Sequence, residues 1–281
     1  MIACDLCGAA NPEPVLQSPR LDGPLVRCRS CGLYFVGERR SNLAFGSDSA
    51  SATTERIREA NREFTHLALD EERRLANLNA KSRIDLIRRY RPSGKLLEVG
   101  CARGEFLRVA RDHFSVVGIE PNAELARDAA SVAPVYEGLL ERYPESGFDV
   151  AASFHVIEHT DSPRRFLQEM VARLKPGGLA VIETPNIHSL PFRVLKSRWR
   201  QFIPEHYFFF DEQTMSKLME GADLKVERVE RIGKYASPAL VLNRLARYFR
   251  PLRVIENLAE RTRLTIPVDP LDILIAVGSK R

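Results

Sequence analysis

The chain of 281 residues reads as an α/β protein: a sheet wrapped on both faces by helices, preceded by a small ribbon stapled by metal. Three observations predict this. Four of the five cysteines form two Cys-x-x-Cys pairs near the N-terminus, Cys4/Cys7 and Cys28/Cys31. From Lys95 onward, short apolar runs alternate with amphipathic stretches, as in a parallel sheet with helical crossovers. The first of these runs enters a loop of small residues, Gly100-Cys101-Ala102-Arg103-Gly104, and a helical pattern follows.

Composition sets the outer limits. With 44% hydrophobic and 28% charged residues, the chain can bury a sizeable core, which excludes disordered, collagenous and fibrous classes. A net charge of +5 permits nucleic acid or an anionic membrane as partner but requires neither. The N-terminus has no basic segment running into an apolar one, and no apolar stretch is long enough to span a bilayer. The expected location is therefore the cytoplasm, or the periphery of a membrane, where disulfides rarely persist.

The cysteines accordingly read as metal ligands. Each Cys-x-x-Cys places two thiolates on one tight knuckle, and Gly8 and Gly32 follow directly. Two knuckles supply Cys4, Cys7, Cys28 and Cys31 as the four soft ligands of a tetrahedral Zn2+ site, with an iron centre as the alternative. Four protein ligands leave no open position, so the expected role is structural. This defines a ribbon over residues 1–40. Residues 41–94 follow as a polar linker (41–54) and a helical stretch carrying Phe64, Leu67, Leu75, Leu78, Ile84, Leu86 and Ile87, which Pro92 and Gly94 stop.

The α/β domain spans 95–281. Strands are expected at Lys95–Gly100, Val116–Glu120, Phe148–Phe154, Leu179–Thr184, Leu224–Ile232 and Asp272–Gly278, with another ahead of Gly138, which makes seven. Helices are expected at Ser162–Leu174 and Asp211–Glu220. Two insertions, 187–204 and 238–266, exceed simple connections, and long loops at the carboxyl edge of such a sheet usually carry function.

The loop at Gly100 and the acid at Glu120, twenty residues on, suit a nucleotide-type cofactor whose ribose hydroxyls an acid would grip. The third position of a dinucleotide fingerprint is occupied here by Glu105. Glu98 stands just before the loop, where an acid is awkward beside a pyrophosphate but suits an ammonium and a sulfonium. The charges favour S-adenosylmethionine.

Glu98-Val99-Gly100-Cys101-Ala102-Arg103-Gly104, Glu120, Phe148-Asp149-Val150 and Leu174-Lys175-Pro176-Gly177-Gly178 resemble successive motifs of class I S-adenosylmethionine (SAM)-dependent methyltransferases, which have a Rossmann-like seven-stranded sheet. His155-Val156-Ile157-Glu158-His159 with Pro163, and Glu183-Thr184-Pro185-Asn186, resemble a bacterial branch whose members often carry a four-cysteine ribbon. That branch works in sugar, polysaccharide and natural-product assembly. The resemblance covers residues 95–230 well, the ribbon by pattern and the C-terminal part poorly, and Ala102 stands where the family usually has glycine. It implies that the Gly100–Gly104 loop, with Cys101 as a small apolar member, runs under the methionine part of SAM, with Glu98 near its ammonium. Glu120 with Pro121 would hold the ribose, and Leu139, Phe154 and His155 would complete the cofactor contacts.

Methyl transfer to oxygen or carbon is helped by a general base, and histidine is suited to that work. His155 ends the fourth strand. Glu205-His206 resembles an acid–histidine pair in the active site of ribbon-bearing sugar C-methyltransferases, and His159, on the following turn, reads either as a second base candidate or as a helix-entry residue. The expected acceptor is a small molecule or glycan, nucleotide- or lipid-linked among the options. The basic and aromatic residues of 187–204, Trp199 included, could grip it. The apolar and arginine periodicity of 238–266 fits a lid, a packed helical hairpin or a surface docked on anionic lipid. An RNA methyltransferase, or a non-catalytic module with a decayed cofactor fold, are the alternatives. The ribbon's Arg20, Arg27, Arg29, Arg39 and Arg40 are balanced by Asp5, Glu13, Asp22 and Glu38, which disfavours nucleic acid as partner.

Overall fold

The computed structural model describes residues 3–39, 69–246 and 264–281. The expected linker 41–54, Phe64, Leu67 and the second half of the 238–266 insertion lie outside the described residues.

The ribbon folds as three antiparallel strands, β1 (Pro12–Leu16), β2 (Leu25–Cys28) and β3 (Tyr34–Val36). Helix α1 (Leu69–Arg88) follows and buries Ala80, Ile84 and Ile87. The α/β part then runs β4 (Gly94–Val99), α2 (Glu105–Ala110), β5 (Phe114–Glu120), α3 (Ala123–Ala130), β6 (Val135–Glu137), β7 (Phe148–Phe154), α4 (Pro163–Ala172) and β8 (Leu174–Pro185). It continues with α5 (Leu190–Leu195), β9 (Phe208–Phe209), α6 (Glu212–Glu220), β10 (Leu224–Arg231), β11 (Lys234–Ala236), α7 (Pro238–Ala246), β12 (Ile266–Val268) and β13 (Ile273–Lys280).

The main sheet has seven strands in the order β10-β13-β8-β7-β4-β5-β6. Pairings among β4 to β8 are parallel, and β13 inserts antiparallel between β8 and β10. Leu96, Leu97, Val150, Ala151, Val181 and Ile182 are all fully buried, because helices cover both faces and each central strand must be apolar on both sides. The chain goes one way from β4 to β5 and β6 and the other way to β7 and β8. That reversal opens a crevice at the carboxyl ends of β4 and β7.

Helix starts follow the sequence signals. The Ser162 hydroxyl accepts from the Arg165 N–H at the head of α4, and Asp211 and Thr214 cap α6 reciprocally. The expected strand Leu179–Thr184 is the second part of β8, which begins at Leu174. Among the described residues of the 238–266 insertion, Pro238–Ala246 are helical. Its end returns as β12, which pairs with β11 in a two-stranded sheet of its own.

The ribbon is stitched to the α/β part. Strand β9, from the end of the first insertion, pairs antiparallel with β3, matching Phe208 to Phe35. The Val36 N–H donates to the Tyr207 carbonyl at 2.8 Å, and the Tyr207 N–H donates to the Glu158 carbonyl at 2.8 Å. Asp5 accepts from the Ser162 hydroxyl and the Arg164 N–H. One apolar cluster runs from Leu25 and Phe35 through Phe209 and Trp199 to Leu97.

Candidate active site

A cavity of about 410 Å³ opens at the carboxyl ends of β4, β5 and β7, within the size range of small-molecule sites. Gly100, Ala102, Glu120, Pro121, Leu139, Phe154, His155 and His159 are among its walls. The loop beneath it is left-handed at three points: Gly100 (φ 77), Ala102 (φ 46) and Gly104 (φ 78). At Gly100 a Cβ would stand 2.4 Å from Val156 Cγ2, so glycine is required on two counts. Ala102 takes the same kind of conformation with a side chain, which accounts for the family's usual glycine there. Its N–H donates to Glu120 Oε2 at 3.0 Å, while Glu120 Oε1 accepts from the Asn122 N–H at 2.9 Å.

Glu98 is buried beneath the loop, and its Oε2 has no hydrogen-bond partner. Burial pushes its carboxyl up to about 8, with Arg83 pulling the other way. A buried carboxylate oxygen without a donor fits a site built to receive a cationic group. Two expectations shift here. The Cys101 side chain turns into the core against Gly118 and Leu107, not into the cavity, and burial pushes its thiol up. Gly104 serves as the N-cap of α2. Thus Cys101 and Gly104 support the loop from behind the wall.

His155 directly follows β7 in the left-handed region (φ 58) and lines the cavity. Its Nδ1 is 3.2 Å from Glu158 Oε1, and its Nε2 is 3.0 Å from Glu183 Oε1. Both carboxylates are fully buried. Burial alone would raise Glu158, but the His155 hydrogen bond and nearby imidazoles hold it at about 2. Burial would raise Glu183 too; Lys234 and Arg83 overcome it and hold that carboxyl well below its usual range. Arg83 grips Glu183 with two nitrogens at 2.7 and 2.6 Å, and its guanidinium lies over the Phe154 ring at 4.4 Å. Lys234 Nζ is 2.9 Å from Glu183 Oε1 and 2.7 Å from His155 Nε2.

The structure does not bring the expected Glu205–His206 pair to the cavity. His206 Nδ1 faces the Gln201 carbonyl at 2.7 Å, and its ring meets His159 edge-on at 4.5 Å. Burial lowers His206 to about 3 and also lowers His159. Glu205 contributes its backbone carbonyl to His159 Nδ1 at 3.0 Å. His159, for which the sequence leaves a helix-entry role and a base role open, is the second histidine on the wall. The aromatics of the first insertion also differ from expectation. Trp199 and Phe202 are fully buried and pack on Phe209 as core, so they offer no surface to a ligand.

Nothing local in the sequence marks Arg83 or Lys234. Arg83 lies on an ordinary amphipathic helix and Lys234 on a short strand. Glu158 did carry a signal, three residues after His155 on a tight turn.

At the ribbon, the four cysteine sulfurs lie within 4.8 Å of one another, with Cys4–Cys31 and Cys7–Cys28 each at 3.5 Å. Bonds of about 2.3 Å to a tetrahedral Zn2+ set sulfurs roughly 3.8 Å apart, so the donor set fits that ion. Gly8 (φ 75) and Gly32 (φ 91) turn each knuckle, with their N–H groups donating to the Cys4 and Cys28 carbonyls. Among the described residues no helix is long and apolar enough to cross a membrane.

Comparison with known proteins agrees with this geometry. The model of a family described as a methyltransferase domain matches residues 56–229. A mitochondrial ubiquinone biosynthesis O-methyltransferase of Schizosaccharomyces pombe is 33% identical over 102 residues, covering 32% of this chain and 37% of that protein. The chain thus spans well under half the length of that curated relative. A Thermotoga maritima structure, described as a SAM-dependent methyltransferase and possible histamine N-methyltransferase, has a TM-score of 0.56 at 20% identity, covering 83% of this chain and all of that one (100%). Magnesium protoporphyrin IX methyltransferase of Synechocystis, solved with S-adenosylhomocysteine (SAH), has a TM-score of 0.56 at 10% identity over 84% of this chain and 98% of that one. At such identities these are likenesses of fold. With a family model over more than half of its length, a seven-stranded sheet of that family's order and a cavity at its switch point, the chain belongs to the methyltransferase domain family and has the class I SAM-dependent methyltransferase fold.

Proposed function

We propose that the chain methylates a hydroxyl of a small molecule, sugars included, with His155 as general base. One observation carries this reading: a single cavity has the glycine loop, Glu120 and His155 in its walls. Bound SAM would supply a methyl group already activated by positive sulfur. Gly100 and Ala102 would let the backbone approach it, with Glu98 facing its ammonium. Glu120 and Pro121 would hold the ribose, Leu139 would flank the adenine, and Phe154 would close the wall. The chain's own work is then alignment and removal of one proton. His155 Nε2 would accept that proton, while Glu158, on Nδ1, steadies the imidazolium that forms. The O-methyltransferase relative supports oxygen as the acceptor atom; the ribbon and the His155–His159 motif support a sugar or natural product.

In this reading residues 1–40 are a structural ribbon on zinc, 41–94 a connecting segment, and 95–281 carry the chemistry. The RNA reading keeps one support, a groove of about 720 Å³ whose walls carry Arg73, Arg103, Arg108 and Arg127 beside Glu105 and Asp128. Binding to bulk RNA that falls steeply with salt would favour it.

The test is calorimetry with SAH, followed by SAH release from SAM in the presence of hydroxylated sugars and phenols. One site per chain is expected. Glu120→Ala should weaken binding ~10–100-fold, the effect of losing charge-assisted hydrogen bonds. Absence of SAH binding by the wild type would sink the proposal.

A further inference from the structure

The ring of His155 lies between two buried carboxylates, Glu158 on the Nδ1 side and Glu183 on the Nε2 side. A histidine so placed ordinarily takes a proton on each nitrogen, one for each carboxylate. Lys234 forbids this. Its Nζ is 2.7 Å from Nε2 and 2.9 Å from the same Glu183 oxygen. An ammonium has three donors and no acceptor, so an N–H on Nε2 would meet it donor to donor. Nε2 therefore carries a lone pair, and the one ring proton sits on Nδ1, donated to Glu158.

The charges agree. Glu158 and Glu183 contribute two negative charges, Arg83 and Lys234 two positive, and a neutral imidazole closes the group at zero. Burial draws Lys234 down from its usual value, and Glu183 pulls it back up. Arg200, which also faces Lys234, is offset by Asp272 at 2.9 Å. The remaining titratable groups nearby do not disturb that balance. His159 and His206, beside Glu158, are kept neutral by burial, and Glu98, near Arg83, is pushed toward its protonated form. Without Lys234 the group would stand at −1, and a second proton on His155 would restore neutrality.

We propose that Lys234 is a positioning residue for the base: it keeps His155 unprotonated at Nε2 between two carboxylates and reserves that lone pair for the acceptor hydroxyl. The proposal rests on His155 being the base of the reaction above. An arriving hydroxyl replaces the ammonium at Nε2. Its proton passes to that nitrogen and the O–H electron pair stays on the acceptor oxygen. Lys234 remains on Glu183.

The experiment is long-range 1H–15N NMR on the full chain labelled with 15N-histidine, with His155 assigned by the signals missing from His155→Gln. At neutral pH the wild type should show a protonated Nδ1 and a bare Nε2. Lys234→Met should convert both nitrogens to the protonated pattern, and Lys234→Arg should restore the wild-type one. A protonated Nε2 in the wild type overturns the proposal, whether or not the Met variant folds. So does a Met variant that binds SAH normally and keeps the wild-type pattern. Failure of the wild type to bind SAH would instead strike the methyl-transfer reading, and the ring pattern would still be read.

Discussion

If Glu98 faces the cofactor's ammonium as proposed, cofactor binding is a proton-linked event. Its carboxyl is buried, has one oxygen without a donor and is pushed up to about 8 by burial. With the site empty, roughly one molecule in a hundred is ionised at pH 6, about one in ten at pH 7 and half at pH 8, since each unit from the midpoint is tenfold. If the cofactor's ammonium binds the ionised form alone, SAH affinity should rise ~50-fold from pH 6 to pH 8, or about 2 kcal/mol. Calorimetry in two buffers of different ionisation enthalpy should show close to one proton released per SAH bound at pH 6. Glu98→Gln should bind weakly and with a flat pH profile. The sign for the empty protein is opposite to that of an ordinary carboxylate. Its folded value lies above the unfolded one, so its stabilising contribution is full below about 4.5 and is lost as pH rises through about 8. Glu98→Gln should therefore melt higher than the wild type at pH 8.5. A pH-independent affinity with no proton release would refute the reasoning.

Other outcomes follow from single residues. Ala102→Gly should raise stability by up to ~1 kcal/mol, by relieving φ 46 at a residue with a side chain, and should leave SAH affinity within a few-fold; a lower melting temperature would count against strain at that loop. His155→Asn keeps a residue tolerant of the left-handed region while removing the base. Methyl transfer should fall ~10²–10⁴-fold with SAH binding retained, and near-normal turnover would clear His155 of that role. Cys31→Ser should release the ribbon metal, measured by elemental analysis, and lower the melting temperature of the whole chain, since β3 is shared with β9. Melting unchanged would mean that the ribbon is an independent appendage.

Local features were legible in the sequence. The run at Leu96–Val99 had to be buried on both faces, and the loop at Gly100 had to admit left-handed backbone. The spacing to Glu120 put an acid at the neighbouring strand's end. The two cysteine pairs needed no tertiary information at all. What was not legible depends on distant partners. Lys234 reaches His155 across 79 positions and Arg83 reaches Glu183 across 100, and neither end advertises the other. Trp199 misled for another reason. It sits between Arg198 and Arg200 and reads as part of a polar surface, yet Arg198 is exposed, Arg200 turns to the buried Asp272 and the indole goes inward. His206 was misplaced because a motif fixes residue types and not depth, and here a second imidazole stands in front of it.

The hydrogen bonds of Tyr207 give the ribbon a significance for engineering and descent. One residue is held by Val36 on the ribbon side and by the backbone of Glu158 on the other, and the Glu158 side chain carries His155. The N-terminal segment is thus no detachable cassette but a buttress whose footing is the turn that carries Glu158 beside His155. A ribbon grafted from a relative would have to arrive with its own version of Phe208–Phe209 and Tyr207, and a truncation that removed the ribbon would loosen the turn without touching a single cavity wall. The two parts of such a chain would be expected to change together over time, as a hinge and its frame do.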